Sequence, residues 1–265
     1  MLAIAVIVLV IVLVAGGNKN NGAPGASNTS YTSNTSTTST TSTGPDTSTI
    51  RYSAPSISSK VGDLVSFGTY EQDNNLNNGP EPITWSVLEI KDGKAMLISK
   101  YGLDAMRYNT RKEDSVQWEN CSMRAWLNGT FLNTSFSDAE RSAIALTEVD
   151  NGEQQHYDHY YGYGWKNTQD YIYILSYDEA FNVYFLNDAV RRCAPTDFAI
   201  ANGASTGTNK VDGRAAGPWW LRSKGRFADG YASCVLQSGS YEDIERANVD
   251  AGDMAVRPVL WVNLQ

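Results

Sequence analysis

The densest group of side chains with possible chemistry is the run His156-Tyr157-Asp158-His159, which contains both histidines of the chain. Three potential metal ligands this close together resemble part of a metal site. However, metal sites in proteins usually take their ligands from separated elements and orient them through further contacts. The sequence therefore favours no metal and no cofactor here.

Aromatic residues follow this run directly, at Tyr160, Tyr161, Tyr163 and Trp165. Tyrosine and tryptophan present flat apolar faces with polar tips, which can stack on sugars or anchor a protein partner. The alternative is a loop that folds onto its own aromatic cluster. Both interpretations remain open, and Tyr160, Tyr161 and Trp165 are candidate ligand-binding residues.

Two arginines, Arg222 and Arg257, lie among apolar residues in strand-like segments. A guanidinium in such a place can bind a ligand carboxylate through two parallel hydrogen bonds. It can also tie loop carbonyls and carboxylates together within the fold, and this structural role is the favoured interpretation.

The three cysteines, Cys121, Cys193 and Cys234, are too few and too scattered for a disulfide framework. At most one internal disulfide can form, with Cys193–Cys234 as the first pair to consider. No pair has the spacing of a zinc site, and no Ser/His/Asp or GxSxG arrangement is present. The sequence thus favours a protein that is not an enzyme.

The charge balance of the chain argues against nucleic acid as a partner. Lys and Arg number 21 and Asp and Glu 29, which leaves a net charge of -8. A polyanion would be repelled by such a protein. Acidic residues near the C-terminus, Asp250, Asp253 and the Glu242-Asp243 pair, could hold a hard cation, but a solvated acidic face is the favoured interpretation.

The first 52 residues differ from the rest in composition. Residues 2–14 are an unbroken aliphatic run, which predicts a transmembrane anchor over residues 1–17 or, alternatively, the apolar part of a cleaved signal segment. Residues 18–52 are rich in Ser, Thr and Asn and predict a disordered linker. Residues 53–265 then form one folded domain, displayed outside the cell membrane or, in the alternative, secreted.

Hydrophobic patterning predicts a mixed α+β domain. Strands are expected at residues 65–70, 83–90 and 94–100, the last two joined by an Asp92-Gly93 hairpin turn. Further helices and strands follow. They are a helix within residues 122–136, a helix over residues 141–146 after a cap at Ser137, a strand at residues 171–176, a helix from the Ser176 cap to Phe185, and strands at residues 219–223, 232–237 and 256–262.

From about residue 61 to residue 264 the chain resembles an uncharacterised bacterial domain family whose members are similar to C-type-lectin folds and to sulfatase-modifying factors. The motifs that carry the resemblance are Phe67-Gly68-Thr69-Tyr70, Ile83-Thr84-Trp85-Ser86-Val87-Leu88, residues 97–104 (LISKYGLD), Arg124-Ala125-Trp126-Leu127-Asn128, Ile174-Leu175-Ser176, Trp219-Trp220-Leu221-Arg222-Ser223, Gly239 and residues 256–262 (VRPVLWV).

The resemblance implies an α+β, C-type-lectin-like domain with small antiparallel sheets, flanking helices and a long irregular C-terminal loop region that carries the ligand-binding residues. The candidate ligand-binding residues there are Arg226, Phe227, Asp229, Tyr231, Tyr241 and Glu242. The framework residues of the two strand motifs are Trp220, Arg222, Arg257, Pro258 and Trp261. Glu81-Pro82 matches half of a calcium-dependent lectin motif, but Ile83 stands where that motif needs Asn.

These features together predict a membrane-tethered, non-enzymatic module that binds an extracellular glycan or surface protein. One alternative is a cysteine-dependent oxidase of the sulfatase-modifying-factor type, although no closely placed cysteine pair is present. The other is a structural envelope protein without a small ligand.

Overall fold

The computed structural model describes residues 52–113, 116–152, 155–156, 159–160, 165–225, 230–241 and 247–265. The predicted anchor (1–17) and all of the predicted linker except Tyr52 lie outside these residues. Among the helices of the described part, none has the length and apolar character needed to cross a bilayer.

The described residues form a mixed α/β domain with several small sheets and few, short helices. The strands are β1 (Leu64–Tyr70), β2 (Glu81–Lys91), β3 (Lys94–Ser99), β4 (Asp104–Ala105), β5 (Thr147–Val149), β6 (Gln155–His156), β7 (His159–Tyr160), β8 (Thr168–Asp170), β9 (Ile172–Tyr173), β10 (Lys210–Val211), β11 (Arg214–Ala215), β12 (Trp219–Lys224), β13 (Tyr231–Val235), β14 (Ala247–Asn248), β15 (Ala255–Val256) and β16 (Val259–Asn263). The α-helices are α1 (Ser122–Trp126), α2 (Leu132–Ser135), α3 (Asp138–Ala143), α4 (Asp188–Arg191) and α5 (Asp197–Ala201).

The first sheet has the strand order β1-β2-β3-β16-β9, and all its pairs are antiparallel. Apolar residues alternate along β2, where Ile83, Trp85 and Val87 are buried. The predicted Asp92-Gly93 turn is confirmed, with φ of 49° and 72° at its two residues. The three strands predicted in this part of the chain are therefore confirmed to within two residues at each end.

The second sheet has the order β14-β13-β12-β15-β4. It is mixed, because β12 runs parallel to β15 while its other pairs are antiparallel. The expectation of purely antiparallel sheets is wrong at this pair. β15 is followed after two residues by β16 of the first sheet, so one short C-terminal segment contributes a strand to each sheet.

The predicted helix within residues 122–136 is confirmed as α1, a π-helical turn over Leu127–Phe131, and α2. The next helix is shifted from its predicted position, because α3 ends at Ala143 and the chain at Ile144 pairs with Val262 instead. The predicted Ser137 cap is present, with reciprocal hydrogen bonds to Glu140.

Residues 171–185 form a strand followed by a helix, as predicted, but the strand is shorter than predicted. Only Ile172–Tyr173 pairs as a strand within residues 171–176. The capping box is confirmed, since Glu179 N donates to Ser176 Oγ at 3.1 Å and Ser176 N donates to Glu179 Oε2 at 2.8 Å. The helix that follows is a π-helical segment over Glu179–Tyr184.

Four tryptophans form the centre of the core and each of their indole N–H groups has an acceptor. Trp85 donates to Phe67 O, Trp118 to Asp170 Oδ2, Trp219 to Arg191 O and Trp220 to Met106 O, at 2.6–3.1 Å. All four side chains are fully buried. An indole buried in this way contributes its apolar surface without leaving an unsatisfied donor.

Arg222, at the centre of β12, is the most heavily bonded buried cation of the described residues. It donates to the carbonyls of Ile174 at 2.9 Å and Asp150 at 2.9 Å, and to Asn151 Oδ1 at 3.0 Å. Its guanidinium also forms a bidentate pair with Glu179. Burial by itself lowers the pKa of Arg222, but the Glu179 carboxylate outweighs that effect and raises it.

Arg257 is buried in a different environment. Its Nε donates to Ser99 O at 2.9 Å, and its guanidinium carbon lies 5.1 Å from the ring centre of Trp219 and 5.2 Å from that of Phe185. Nη1 has no hydrogen-bond partner. Burial therefore lowers the pKa of Arg257, in contrast to Arg222.

Gly68 forms a bulge in β1 that connects the first sheet to α3. Its φ is 70°, and its N–H donates to Glu140 Oε1 at 2.9 Å. A Cβ at this position would lie 2.7 Å from Ser135 O and 2.6 Å from the ring of Phe136. Both the backbone angle and the space therefore require glycine.

Gly68→Ala is expected to destabilise the protein more than Gly79→Ala. Gly79 has a similar positive φ of 81° but has open space around its Cβ position. The control therefore measures backbone strain alone, about 1–2 kcal/mol, whereas Gly68→Ala adds a steric cost of about 1–3 kcal/mol. Urea unfolding checks this, and equal losses for the two variants would contradict the close packing at Gly68.

Arg222→Met is expected to lower the free energy of unfolding by about 3–5 kcal/mol, because it leaves buried acceptors without their donor. Arg107→Met is the control, since Arg107 is exposed and such changes usually stay within about 0.5 kcal/mol. Denaturant unfolding monitored by circular dichroism measures both. A small effect at Arg222 would show that its bonds are dispensable.

Candidate functional site

The loop between β12 and β13 is closed at its base by two glycines. Gly225 N donates to Tyr231 O at 2.9 Å, and a Cβ on Gly225 would lie 2.8 Å from Tyr231 Cβ. Gly230 adopts a φ of 82°, and its carbonyl accepts from Val249 N at 3.0 Å. The ends of this loop are thus held in place, while residues 226–229 lie outside the described part of the chain.

Tyr231 is partly exposed at the start of β13, and Lys112 Nζ lies 4.8 Å from the centre of its ring. The Lys112 side chain is exposed. This arrangement allows a cation–π attraction between the ammonium group and the tyrosine ring. It also places a positive charge and an aromatic surface side by side at the rim of the loop.

An open groove of about 480 Å³ lies in the segment that carries Lys112. The residues that line it are Asn109, Thr110, Arg111, Glu113, Val116, Asn120, Cys121, Ser122 and Ala125. Its volume is within the range of small-molecule sites. We refer to this groove together with Lys112 and Tyr231 as the ligand face.

Backbone and side-chain hydrogen bonds hold the groove in shape. Asn109 N donates to Val249 O at 2.7 Å, and Asn109 Oδ1 accepts from Ser122 N at 3.0 Å. Thr110 N donates to Ser122 Oγ at 2.9 Å. Because Val249 also bonds Gly230, the groove and the base of the loop share one support.

The three cysteines are buried and none of them is in a disulfide, so the Cys193–Cys234 bond considered from the sequence is not formed. Burial raises the pKa of Cys121, which lines the groove, to about 12, and it raises the pKa of Cys234 to about 12 as well. The pKa of Cys193 is also raised by burial, against the opposing effect of Arg257. Thiols with such pKa values are protonated and weakly nucleophilic at neutral pH.

Of the other predicted ligand-binding residues, two have described side chains, and both pack against the core. Tyr241 is buried in the core, with its ring centre 4.8 Å from that of Tyr177 and 5.7 Å from that of Phe181. Trp165 is partly buried against the core, and its backbone N–H donates to Asn151 O at 2.6 Å. The backbone of Tyr160 lies in β7, and its side chain is outside the described part. Also outside it are Arg226, Phe227, Asp229, Glu242 and Tyr161.

The predicted framework residues are placed differently from one another. Trp220, Arg222, Arg257 and Pro258 are buried. Trp261 lies in β16 but keeps part of its side chain exposed. The first four therefore belong to the core, whereas Trp261 also contributes to the surface.

The histidine-rich run forms a short two-stranded ribbon, in which His156 pairs with His159. Tyr157 and Asp158, between them, lie outside the described residues. The two histidines are therefore backbone partners across this ribbon.

Three carboxylates, of Glu71, Asp73 and Glu81, lie close together at the end of β1 and the start of β2, with ligand oxygens within 4.8 Å of one another. Each already accepts hydrogen bonds from loop donors: Glu71 from Asn75 N, Asp73 from Asn75 N and Asn78 Nδ2, and Glu81 from Gln72 N. The Asn78 and Asn75 bonds lower the pKa of Asp73. These contacts account for the cluster as a loop that satisfies its own acceptors.

Sequence reasoning missed the groove itself. Four of its lining residues lie within the short segment 109–113, without periodicity or a recognisable motif. Ser122 and Asn120 come close to them only after the chain turns. Lys112 carried no signal, because an exposed lysine beside a tyrosine is visible only after β13 is placed.

Comparison with known proteins gives one positive result. No curated protein and no solved structure matches the chain. A family model described as a domain of unknown function, DUF6273, matches residues 92–264, from the β2–β3 turn to the end of β16. This span includes the ligand face, the two arginine motifs, all of the second sheet, and β3, β16 and β9 of the first sheet. The chain therefore belongs to the DUF6273 family.

Proposed function

We propose that this protein is a display module that binds an extracellular ligand at the ligand face and does not catalyse a reaction. The observation that carries the proposal is the open polar groove of about 480 Å³ beside the Lys112–Tyr231 pair. Aromatic rings and cations at the rim of a polar groove are typical of recognition surfaces. The ligand is a glycan or a surface protein.

The support of the groove favours binding over a role in packing. The groove residue Asn109 is bonded to Val249 and, through it, to Gly230 at the base of the β12–β13 loop. A rigid scaffold that carries variable loops is the common arrangement for binding sites. The loop residues Arg226 and Phe227 add a charge and a ring to the sequence at this point.

Tethering to the membrane is the second part of the proposal and depends on the sequence alone. The aliphatic run at residues 2–14 would serve as the anchor, and residues 18–52 as a flexible spacer. Such a spacer lets the domain reach ligands away from the membrane surface. Cleavage of the run as a signal segment would give a secreted binding protein instead.

The alternative of a cysteine-dependent oxidase receives no support from the thiols. Such an enzyme needs an accessible cysteine with a lowered pKa. Cys121, Cys193 and Cys234 are all buried, and burial raises the pKa of each.

Tyr231→Ser and Lys112→Gln are each expected to weaken ligand binding at least about tenfold, because each removes a central contact of the face. The measurement applies the purified full-length chain, in mild detergent, to an array of glycans and bacterial surface proteins, with and without calcium and copper. Tyr171→Ser and Lys210→Gln are matched controls, since both residues are exposed outside the groove. Binding that persists in both face variants would refute this location.

The three thiols are expected to be unreactive toward a thiol reagent at pH 7 in the native protein and to react completely after unfolding in urea. Burial and the raised pKa values both slow the attack. Absorbance after addition of the reagent counts the reactive groups. A rapidly reacting native thiol, above all in a copper-dependent manner, would favour the oxidase alternative.

A further inference from the structure

A second open groove lies beside the tight turn between β2 and β3, at one end of the strands of the first sheet. Its volume is about 270 Å³. The residues that line it are Lys91, Asp92, Lys94, Leu146, Thr147, Glu148 and Trp261. None of them belongs to the ligand face, and we call this the hairpin groove.

Both walls of the hairpin groove are held by the backbone. On one side the turn adopts left-handed φ values at Asp92 and Gly93, and Gly93 O accepts from Leu264 N at 2.9 Å. On the other side Ala145 N donates to Trp261 O at 2.8 Å, which aligns the start of the 145–149 segment with β16. The groove is therefore a preformed feature at this end of the sheet.

The charged side chains of the hairpin groove are equal in number of each sign but do not form ion pairs with one another. Two lysines, Lys91 and Lys94, and two carboxylates, Asp92 and Glu148, give a formal sum of zero. Within the described part of the chain none of these four groups forms an ion pair, and Glu148 accepts only a 3.3 Å hydrogen bond from Asn167. Both signs thus remain available to a ligand, on a protein whose net charge is -8.

Apolar side chains line the same groove. Leu146 is 53% exposed. Trp261 is partly exposed, whereas Trp85, Trp219 and Trp220 are fully buried. A half-exposed leucine and a partly exposed indole leave apolar surface in contact with water. Covering this surface with an apolar group of a ligand would be favourable.

We propose that the hairpin groove binds an amino acid or a short peptide with free termini and an apolar side chain. The lysines contact the carboxylate of the ligand, Asp92 and Glu148 contact its ammonium group, and Leu146 and Trp261 contact its side chain. A ligand of a single charge would leave two like charges of the groove facing it. The volume, slightly below that of typical drug-sized ligand sites, fits a small ligand such as this.

The test compares four probes by calorimetry with the full-length chain in mild detergent. They are the dipeptide alanyl-leucine, its N-acetyl form, its C-terminal amide and maltose. The free dipeptide is expected to bind, each cap is expected to weaken binding about tenfold, and maltose is expected not to bind. Equal binding of free and capped dipeptides, binding of maltose in their place, or no binding of any probe would overturn the proposal.

Charge variants assign each end of the ligand. The pair Lys91→Gln and Lys94→Gln is expected to weaken the free dipeptide about tenfold but to leave the affinity for the C-terminal amide unchanged. The pair Asp92→Asn and Glu148→Gln is expected to act on the free dipeptide and not on the N-acetyl form. Lys210→Gln, at an exposed lysine outside the groove, is the control. Additive losses from variant and cap would contradict the assigned contacts.

Leu146→Ser tests the apolar contact and is expected to reduce affinity about tenfold. Ile200→Ser is its control, because Ile200 is 44% exposed and does not line the groove. Thermal unfolding of each variant verifies the fold. Dipeptide binding that is lost in Tyr231→Ser but kept in every hairpin-groove variant would locate the peptide at the ligand face and overturn the proposal, while the proposed function would stand.

Discussion

A buried guanidinium has to be surrounded by acceptors, and this requirement at Arg222 organises the domain. Its acceptors come from Asp150, Asn151, Ile174 and Glu179, which lie in segments far apart from β12 in the chain. A buried charge that lacks some of its partners is costly. The fold therefore has to bring all of these segments to Arg222. The sheet edge at residues 172–175, the cap of the next helix and the chain before the aromatic loop are thereby fixed relative to β12.

The ligand face is connected to the same centre. Tyr108 Oη donates to the carbonyl of Arg222 at 2.8 Å, and Trp220 Nε1 donates to Met106 O at 2.9 Å. The 106–113 segment, which provides half of the groove, therefore lies directly on β12. Polar groups on this segment can remain exposed because its position does not depend on their own packing. This division between a bonded interior and an open rim is what a binding site requires.

The two motif arginines show how the surroundings decide the role of one residue type. Arg222 has a carboxylate and several carbonyls, and its pKa is raised. Arg257 has one carbonyl and two aromatic rings, and burial lowers its pKa. Neither lines the groove of the ligand face, so under the proposed function exposed residues such as Lys112 would contact charged groups of the ligand.

The sequence by itself determined the first three strands, the Asp92-Gly93 turn and the caps at Ser137 and Ser176, because periodicity and capping are local properties. It also identified Arg222 and Arg257 as structural, since apolar neighbours surround both. Only the tertiary structure decided the parallel β12–β15 pair, the burial of the cysteines without a disulfide, and the burial of Tyr241. The two grooves likewise exist only in three dimensions, because each joins residues whose separation along the chain carries no periodic signal.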